Sequence, residues 1–188
     1  QDSIADLYDG LSSHYEEIYL RAGWHDPLKC AELAKVCVGD EGAATGEVLD
    51  MGCGTGLVGQ YLKERGFAAG IVGVDASKGM LEKAREKNSY SELVELFLGR
   101  PDTYPENLHN RFQVITASGI LAEGHLDNRV FDEMLMSLKQ GGYAVFATRT
   151  MYLTKYNYIE KMNELEAQGK WKKVHEWTFD RYDQLEEA

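Results

Sequence analysis

The sequence is poor in the features that mark secreted, membrane and metal-binding proteins. It has three cysteines and three prolines in 188 residues, lacks an N-terminal apolar segment of the kind that directs secretion, and has no run near the roughly 18 apolar residues that cross a membrane. Its five histidines are dispersed, without the paired His or Cys spacing of a metal site. We therefore expect a reduced protein of the cytoplasm or nucleus, with no metal and no membrane partner.

Positive charge is also scarce. Twenty Lys and Arg face 31 Asp and Glu, for a formal net charge of -11. Nonspecific binding to nucleic acid depends on cations that displace counterions, so long nucleic acid is not an expected partner. One local cluster surrounds Trp171 and could stack on a base, but a solvated strand edge explains it equally; it consists of Lys170, Lys172 and Lys173.

The chain has the composition of one globular domain, with 44% hydrophobic residues. Short apolar runs alternate with helical stripes of apolar residues, and no repeat or proline-rich linker interrupts them. Predicted strands cover residues 48–50, 71–75, 93–98, 112–117, 143–148 and 171–179; predicted helices cover residues 3–20, 27–38, 57–66, a stretch that begins after Ser77, 127–139 and 156–167. A seventh strand is not evident.

This alternation predicts an α/β fold: a doubly wound, mostly parallel sheet with helices on both faces. We expect a single domain over residues 1–188, with lid helices in residues 1–40 and a core in residues 47–180. A monomer is favoured, although an uncovered sheet edge would allow self-association.

Three alternating glycines follow the first predicted strand. Gly52, Gly54 and Gly56 lie between an apolar run and a helical stripe, and glycine lets the main chain bend sharply and approach a ligand closely. Such a turn suits NAD, FAD or S-adenosylmethionine. It also occurs without any ligand, so the neighbouring residues must decide.

Two acidic residues narrow the choice among these ligands. Asp75 ends the second strand, where a carboxylate can accept hydrogen bonds from both hydroxyls of a ribose; an acid that only leads into the Ser77 helix cap is the alternative. Asp50 directly precedes the glycines, and a buried negative charge there would repel a diphosphate and attract an ammonium. S-adenosylmethionine carries such an ammonium, so Asp50 favours it over NAD.

These motifs resemble those of the class I S-adenosylmethionine-dependent methyltransferases. The resemblance rests on residues 48–56, residues 73–77 and Met80, and it extends over roughly residues 8–149. Residues 98–101, 117–125 and 141–149 also resemble the methyltransferase-like family of the Williams–Beuren syndrome chromosomal region. The resemblance implies a Rossmann-like fold and methyl transfer from S-adenosyl-L-methionine, with S-adenosyl-L-homocysteine as product, to an unidentified small-molecule or protein acceptor.

The resemblance also implies contacts for each part of the cofactor. The methionine end would be held by Asp50, Gly52, Cys53 and Gly54, and the ribose by Asp75. The adenine would be contacted by Ala76, Met80, Gly99 and Arg100. The sulfonium would face Ala117 and Ser118, and the lid would close over the cofactor with Tyr15 and Trp24. Alternatives remain open at several positions: Met80 as a core residue, Ser118 bonded to the backbone, and the two aromatics packing a helix on the sheet edge.

Two departures from the family pattern limit the implied chemistry. Arg100 and Pro101 stand where an acid usually meets the adenine amino group, so adenine would be contacted by backbone groups or by a stacked Arg100. The Asn/Asp-Pro-Pro-aromatic motif of amide and nucleobase methylation is absent after the fourth strand. The catalytic residues are unknown; His125 is a weak candidate for a general base and could equally be a helix-start residue.

Two other functions remain possible from sequence alone. One is an S-adenosylmethionine-binding module without turnover, since a methyl-transfer pocket need not contain a diagnostic side chain. The other is a nicotinamide-dependent oxidoreductase on the same kind of sheet, against which Asp50 argues.

Overall fold

The computed structural model describes residues 17–183. Residues 17–21 are helical. Five strands follow: β1 (Val48–Met51), β2 (Ile71–Asp75), β3 (Glu92–Glu95), β4 (Phe112–Leu121) and β5 (Leu138–Thr148). The helices are α1 (Asp26–Thr45), α2 (Leu57–Glu64), α3 (Lys78–Glu86), α4 (Val130–Ser137), α5 (Thr150–Lys155) and α6 (Tyr158–Ala167), with short 3-10 turns at Pro101–Thr103 and Glu106–Leu108.

The strands form one sheet in the order β3-β2-β1-β4-β5. Every neighbouring pair is parallel, which confirms the predicted doubly wound arrangement. The chain leaves β1 first towards β2 and β3 and later returns to β4 on its other side. In such sheets, ligands bind over the carboxyl ends of the strands at this reversal of order, here between β1 and β4.

Apolar side chains cover both faces of the sheet. On one face, Leu49, Met51 and Ile115 pack with residues of α4, α5 and α6. On the other, Val48 and Val114 pack with residues of α1 and α2. Because successive strand residues point to opposite faces, the side chain of Asp50 lies on the α1–α2 face, between two layers of apolar residues.

Helix α1, the first part of which lies in the predicted lid of residues 1–40, packs against the core. Its side chains Cys30, Ala31 and Ala34 are buried against the sheet and α2. Small residues on this face let the helix lie close to β4 and β5. The predicted end near Val38 coincides with a kink at Gly39 (φ 67°, ψ -166°), beyond which the helix continues to Thr45. The predicted helix of residues 3–20 lies mostly outside the described residues.

Several element boundaries differ from those predicted. Strand β4 continues past Ala117 to Leu121, and β3 ends at Glu95. Strand β5 begins at Leu138 instead of residue 143, and its register with β4 shifts between Phe112 and Val114. Gly141, at φ 79°, lies in this irregular part. The pair Gly141 and Gly142 forms a bulge through which the strand passes.

The prediction of a sixth strand over residues 171–179 is wrong. Residues 171–180 have no regular secondary structure, and residues 172–178 are exposed. Trp171 instead packs edge-on against Phe131 at a centroid distance of 5.4 Å and donates its indole N–H to the Met162 carbonyl at 2.9 Å. Alternating apolar residues form a strand only when a neighbouring strand accepts their backbone hydrogen bonds, and this segment has none among residues 17–183.

The chain after this segment returns to the start of α1. The His25 amide donates to the Arg181 carbonyl at 2.9 Å, and the Asp183 amide donates to the Ala22 carbonyl at 3.2 Å. Arg181 Nη2 lies 2.8 Å from Asp26 Oδ2. No helix in the described part of the chain is both long and apolar enough to span a bilayer.

Candidate functional site

The glycine turn after β1 adopts backbone conformations that favour glycine. Gly52, Gly54 and Gly56 have φ angles of 68°, 53° and 91°, in the left-handed region that side chains with a Cβ rarely occupy. The amides of Gly52 and Cys53 both donate to the Val74 carbonyl, at 2.8 and 3.0 Å. A Cβ at Gly54 would meet no atom within 4 Å, so this is the open side of the turn.

Asp75 joins the turn to the end of β2. Its Oδ2 accepts from the Gly54 amide at 2.9 Å, and its Oδ1 accepts from the Ser77 amide at 2.9 Å. Ser77 in turn caps α3 by accepting from the Met80 amide at 3.1 Å, as the sequence predicted. The partly buried Asp75 carboxylate therefore lies beside the open face of Gly54.

Asp50 is completely buried (0% exposed) and has two hydroxyl partners. Its Oδ1 accepts from Thr116 Oγ1 at 2.8 Å, and its Oδ2 accepts from the Tyr90 hydroxyl at 2.7 Å. Burial raises the pKa of Asp50 to about 6; the two hydrogen bonds oppose this rise, and the charge of Asp75 adds to it. Among the described residues no cation pairs with this carboxylate.

The parallel register explains why these groups meet. Asp50 is the partner of Gly73 in β2 and of Thr116 in β4, so the three residues form a row on one face of the sheet. Thr116 places its hydroxyl beside the carboxylate, whereas Gly73 leaves space for the ring of Tyr90. Neither hydroxyl residue could be predicted from local sequence, because they lie 40 and 66 positions from Asp50.

The loop after β3 is held by an acid that the sequence analysis also missed. Glu133 of α4 is 0% exposed, and its carboxylate accepts from the amides of Gly99 and Arg100 at 2.8 and 2.7 Å. Burial raises the pKa of Glu133 despite these two donors. The guanidinium of Arg100 lies over the ring of Phe97, 5.1 Å from its centroid. The amides of both residues that were predicted to contact adenine in this loop are therefore already engaged.

The end of β4 brings a hydroxyl and an indole to the same edge. Ala117 and Ser118 are buried, and Ser118 Oγ has no hydrogen-bond partner among the described residues. A Cβ on the next residue, Gly119, would come within 3.4 Å of the Trp24 ring. Trp24 thus lies against the end of β4, whereas Tyr15 lies outside the described residues.

Other predicted contacts have mixed environments. Met80 is 2% exposed, in keeping with the alternative of a core residue, and Ala76 is half-buried beside Asp75. A Cβ at Gly52 would collide with Ile120 Cγ2, so Ile120, which the sequence analysis did not single out, covers that side of the turn.

Few groups at this edge could act as a base or nucleophile. His125 Nδ1 lies 2.9 Å from the Glu123 carbonyl oxygen, which can only accept, so this bond needs a proton on Nδ1. The Cys53 thiol is buried, and burial together with Asp50 and Asp75 raises its pKa well above the usual value. The three cysteines are unpaired. Within residues 17–183, no group of three His, Cys, Asp or Glu side chains could hold a metal ion.

The arrangement of strand, glycine turn and two acids agrees with a known family. Residues 48–142, half of the chain, match the model of the "Methyltransferase domain" family. The chain belongs to the class I S-adenosylmethionine-dependent methyltransferases. The matched segment runs from β1 to the bulge of β5, so it contains the turn, both acids and the loop that Glu133 holds.

Curated relatives support the assignment. The methyltransferase chain is 34% identical to human methyltransferase-like protein 27 over 139 residues, which is 71% of this chain and 54% of that protein. It is 28% identical to the mitochondrial ubiquinone biosynthesis O-methyltransferase of Candida albicans over 105 residues, 54% of this chain and 32% of that one. The chain thus spans between a third and about half of these relatives.

Solved structures show the same fold. The ribosomal protein L11 methylase of Lactobacillus delbrueckii subsp. bulgaricus superimposes with a TM-score of 0.53 at 19% identity, covering 72% of this chain and 68% of that one. At this identity the likeness concerns the fold alone, and it confirms the Rossmann-like sheet.

Proposed function

We propose that this methyltransferase binds S-adenosylmethionine over the carboxyl ends of β1, β2 and β4 and transfers its methyl group to a small-molecule or protein acceptor. The observation that carries the proposal is the environment of Asp50. A carboxylate that is 0% exposed and held by two neutral hydroxyls is costly, because nothing in the described chain offsets its charge. An amino-acid ammonium bound over the carboxyl ends of β1 and β4 would supply the missing positive charge.

The remaining contacts are consistent with such a ligand. Asp75 lies beside the open face of Gly54, where its carboxylate would accept hydrogen bonds from the ribose hydroxyls. The hydroxyl of Ser118, which has no hydrogen-bond partner within residues 17–183, would contact the reacting end of the cofactor or the acceptor. A diphosphate bound at the same place would meet two carboxylates, so the nicotinamide alternative is disfavoured.

The chemistry asks little of the protein side chains. When bound, S-adenosylmethionine supplies a methyl group that is already activated for in-line displacement. The chain then has to align an acceptor with that methyl group and exclude water from the cleft. Trp24, which lies against Gly119 at the end of β4, would cover the reacting end. His125 remains a candidate base for an acceptor that must lose a proton.

Calorimetric titration tests the cofactor assignment. We expect S-adenosylmethionine to bind with a Kd on the order of micromolar and NADH to give no heat. Because only ionised Asp50 attracts the ammonium and its pKa is about 6, affinity should fall by roughly tenfold per pH unit below that value. Tight NADH binding, or S-adenosylmethionine affinity that is independent of pH between 5 and 8, would overturn the assignment.

A methylation screen tests turnover. The protein would be incubated with S-adenosylmethionine labelled in its methyl group and with mixtures of metabolites and peptides, and labelled products would be identified by mass spectrometry. We expect transfer to at least one acceptor, with Asp50→Asn as the inactive control. Cofactor binding without transfer to any acceptor would instead indicate the binding module without turnover.

A further inference from the structure

We propose that Tyr90 is a positioning residue of the cofactor site, whose hydroxyl holds the Asp50 carboxylate ionised and oriented towards the ammonium of an amino-acid ligand. The inference rests on the proposed function and deepens it. Tyr90 lies in the connection between α3 and β3, outside the glycine turn and outside every motif that the sequence analysis used.

The hydroxyl of Tyr90 connects the start of a helix to the buried acid. It accepts from the Gly59 amide at 3.1 Å and donates to Asp50 Oδ2 at 2.7 Å. The first amides of a helix lack partners within the helix, and the N-cap of α2, Gly56, has no side chain to cap them. Tyr90 therefore satisfies a donor of α2, and because that bond uses the hydroxyl as an acceptor, its proton is directed to Asp50.

Three glycines form the slot that holds the ring. A Cβ at Gly59 would collide with Tyr90 Cζ. A Cβ at Gly73 would lie 2.8 Å from Tyr90 Cε1, and one at Gly56 would lie 3.1 Å from Tyr90 Cε2. The ring thus fills space that a turn, a helix and a strand leave open by lacking side chains. Phenylalanine would fill the same slot, so the hydroxyl can be removed without removing the packing.

The charges around Asp50 give the Tyr90 hydroxyl a large effect on the ionisation of the Asp50 carboxylate. The titratable groups that face Asp50 are Asp75 on β2, Cys53 in the turn, Cys30 on α1 and Tyr90 itself. None of them is a cation. Burial and the charge of Asp50 raise the pKa of Tyr90 well above its usual value, so the phenol stays protonated and remains a donor. Thr116 is the other donor to Asp50, and loss of the Tyr90 hydroxyl would leave only that one.

The test compares two ligands in three proteins. S-adenosylmethionine and 5′-methylthioadenosine, which lacks the amino-acid group, would be titrated calorimetrically into wild type, Tyr90→Phe and Tyr61→Phe between pH 5.5 and 8.5. Tyr61 is a matched control, since it packs partly buried in the same apolar cluster and its hydroxyl makes no hydrogen bond within the described chain.

We expect Tyr90→Phe to weaken S-adenosylmethionine binding at pH 7 by about tenfold or more, as expected for a hydrogen bond to a charged group. Binding of 5′-methylthioadenosine should stay within about twofold, and the pH at which S-adenosylmethionine affinity declines should move upwards. Tyr61→Phe should change neither ligand. Equal weakening of both ligands would show that Tyr90 only supports the fold of the turn and would overturn the proposal, as would an unchanged pH profile.

A second variant covers the case in which Tyr90→Phe does not fold. Site-specific 3-fluorotyrosine at position 90 keeps the ring and makes the phenol a stronger donor, so the affinity decline should move to lower pH; an unmoved decline would overturn the proposal. The proposed function is judged separately, by wild type alone: if wild type binds 5′-methylthioadenosine and S-adenosylmethionine equally at every pH, the ammonium assignment of Asp50 fails before any variant is compared.

Discussion

Asp50 combines a stability cost with the proposed binding of an ammonium. Its pKa of about 6 in the folded chain exceeds the value of 3.8 that describes the group in the absence of its surroundings. For an acid whose folded pKa is raised, the favourable contribution is complete below the unfolded pKa and is lost as the pH rises through the folded pKa. Asp50 therefore destabilises the unliganded fold most at neutral pH, where its carboxylate is charged.

Asp50→Asn should separate these two effects. At pH 7.5 we expect the unliganded variant to be more stable than wild type by on the order of 1–3 kcal/mol. The amide carries no charge, its oxygen can accept from Tyr90, and the Thr116 hydroxyl can rotate to accept from its NH2 group. Thermal unfolding would measure this, and below pH 4 the two proteins should converge. The stabilisation of wild type by S-adenosylmethionine should be absent from the variant. A variant less stable than wild type at pH 7.5 would contradict the account.

At the scale of the element, α2 depends on a glycine that a helix would normally exclude. Gly59 lies inside α2, where replacing glycine by alanine usually stabilises a helix by about 1 kcal/mol. Here the added Cβ would collide with the ring of Tyr90. The packing between α2 and the loop before β3 therefore outweighs helix propensity at this position.

We expect Gly59→Ala to destabilise the protein by about 1–3 kcal/mol, as overpacking does. The matched experiment introduces the same change into a Tyr90→Ala background, where the collision is gone and alanine should stabilise. Urea unfolding of the four proteins gives the coupling between the two positions. If Gly59→Ala were stabilising in the wild-type background, the glycine slot would be the wrong description of this contact.

Sequence reasoning succeeded for elements that local patterns define and failed where distant residues decide. The turn of residues 52–56, strand β2 and the Ser77 cap follow from spacing and glycine chemistry alone. Tyr90 and Glu133 could not be assigned in this way, because an ordinary tyrosine and an ordinary glutamate acquire their roles through partners 31 to 40 positions away. The sequence did contain one signal for the packing of Tyr90. Glycine inside a helix, at Gly59, and inside a strand, at Gly73, indicates that a bulky side chain lies against the backbone there.

At the scale of the molecule, the two ends of the described chain are joined. The sixth strand was predicted from apolar residues between 171 and 179, but a strand also needs a neighbour, and the sequence pattern carries no information about it. Residues 181–183 instead contact residues 22–26 by backbone hydrogen bonds and an ion pair. Asp26 is 2% exposed, and burial raises its pKa although the Arg181 charge opposes the rise.

Arg181→Ala should therefore destabilise the whole fold. Removing the guanidinium leaves a buried carboxylate without its partner, which costs about 3 kcal/mol. The pKa of Asp26 would rise further, so the loss should be larger at pH 7 than at pH 5, since a lower pH favours protonation of the uncompensated carboxylate. Urea unfolding at both pH values measures it. Lys173→Ala, which removes an exposed ion pair with Glu176, is the control and should leave the unfolding midpoint unchanged.

The two hydrogen bonds by which Glu133 holds the loop after β3 have a consequence for ligand selectivity. Since the amides of Gly99 and Arg100 are both bonded to it, neither can contribute to reading the edge of a purine. A protein with this arrangement would distinguish adenine from hypoxanthine at that loop only through acceptors, such as backbone carbonyls, that meet the adenine amino group. The rest of its selectivity would come from the sugar and the amino-acid tail of the ligand.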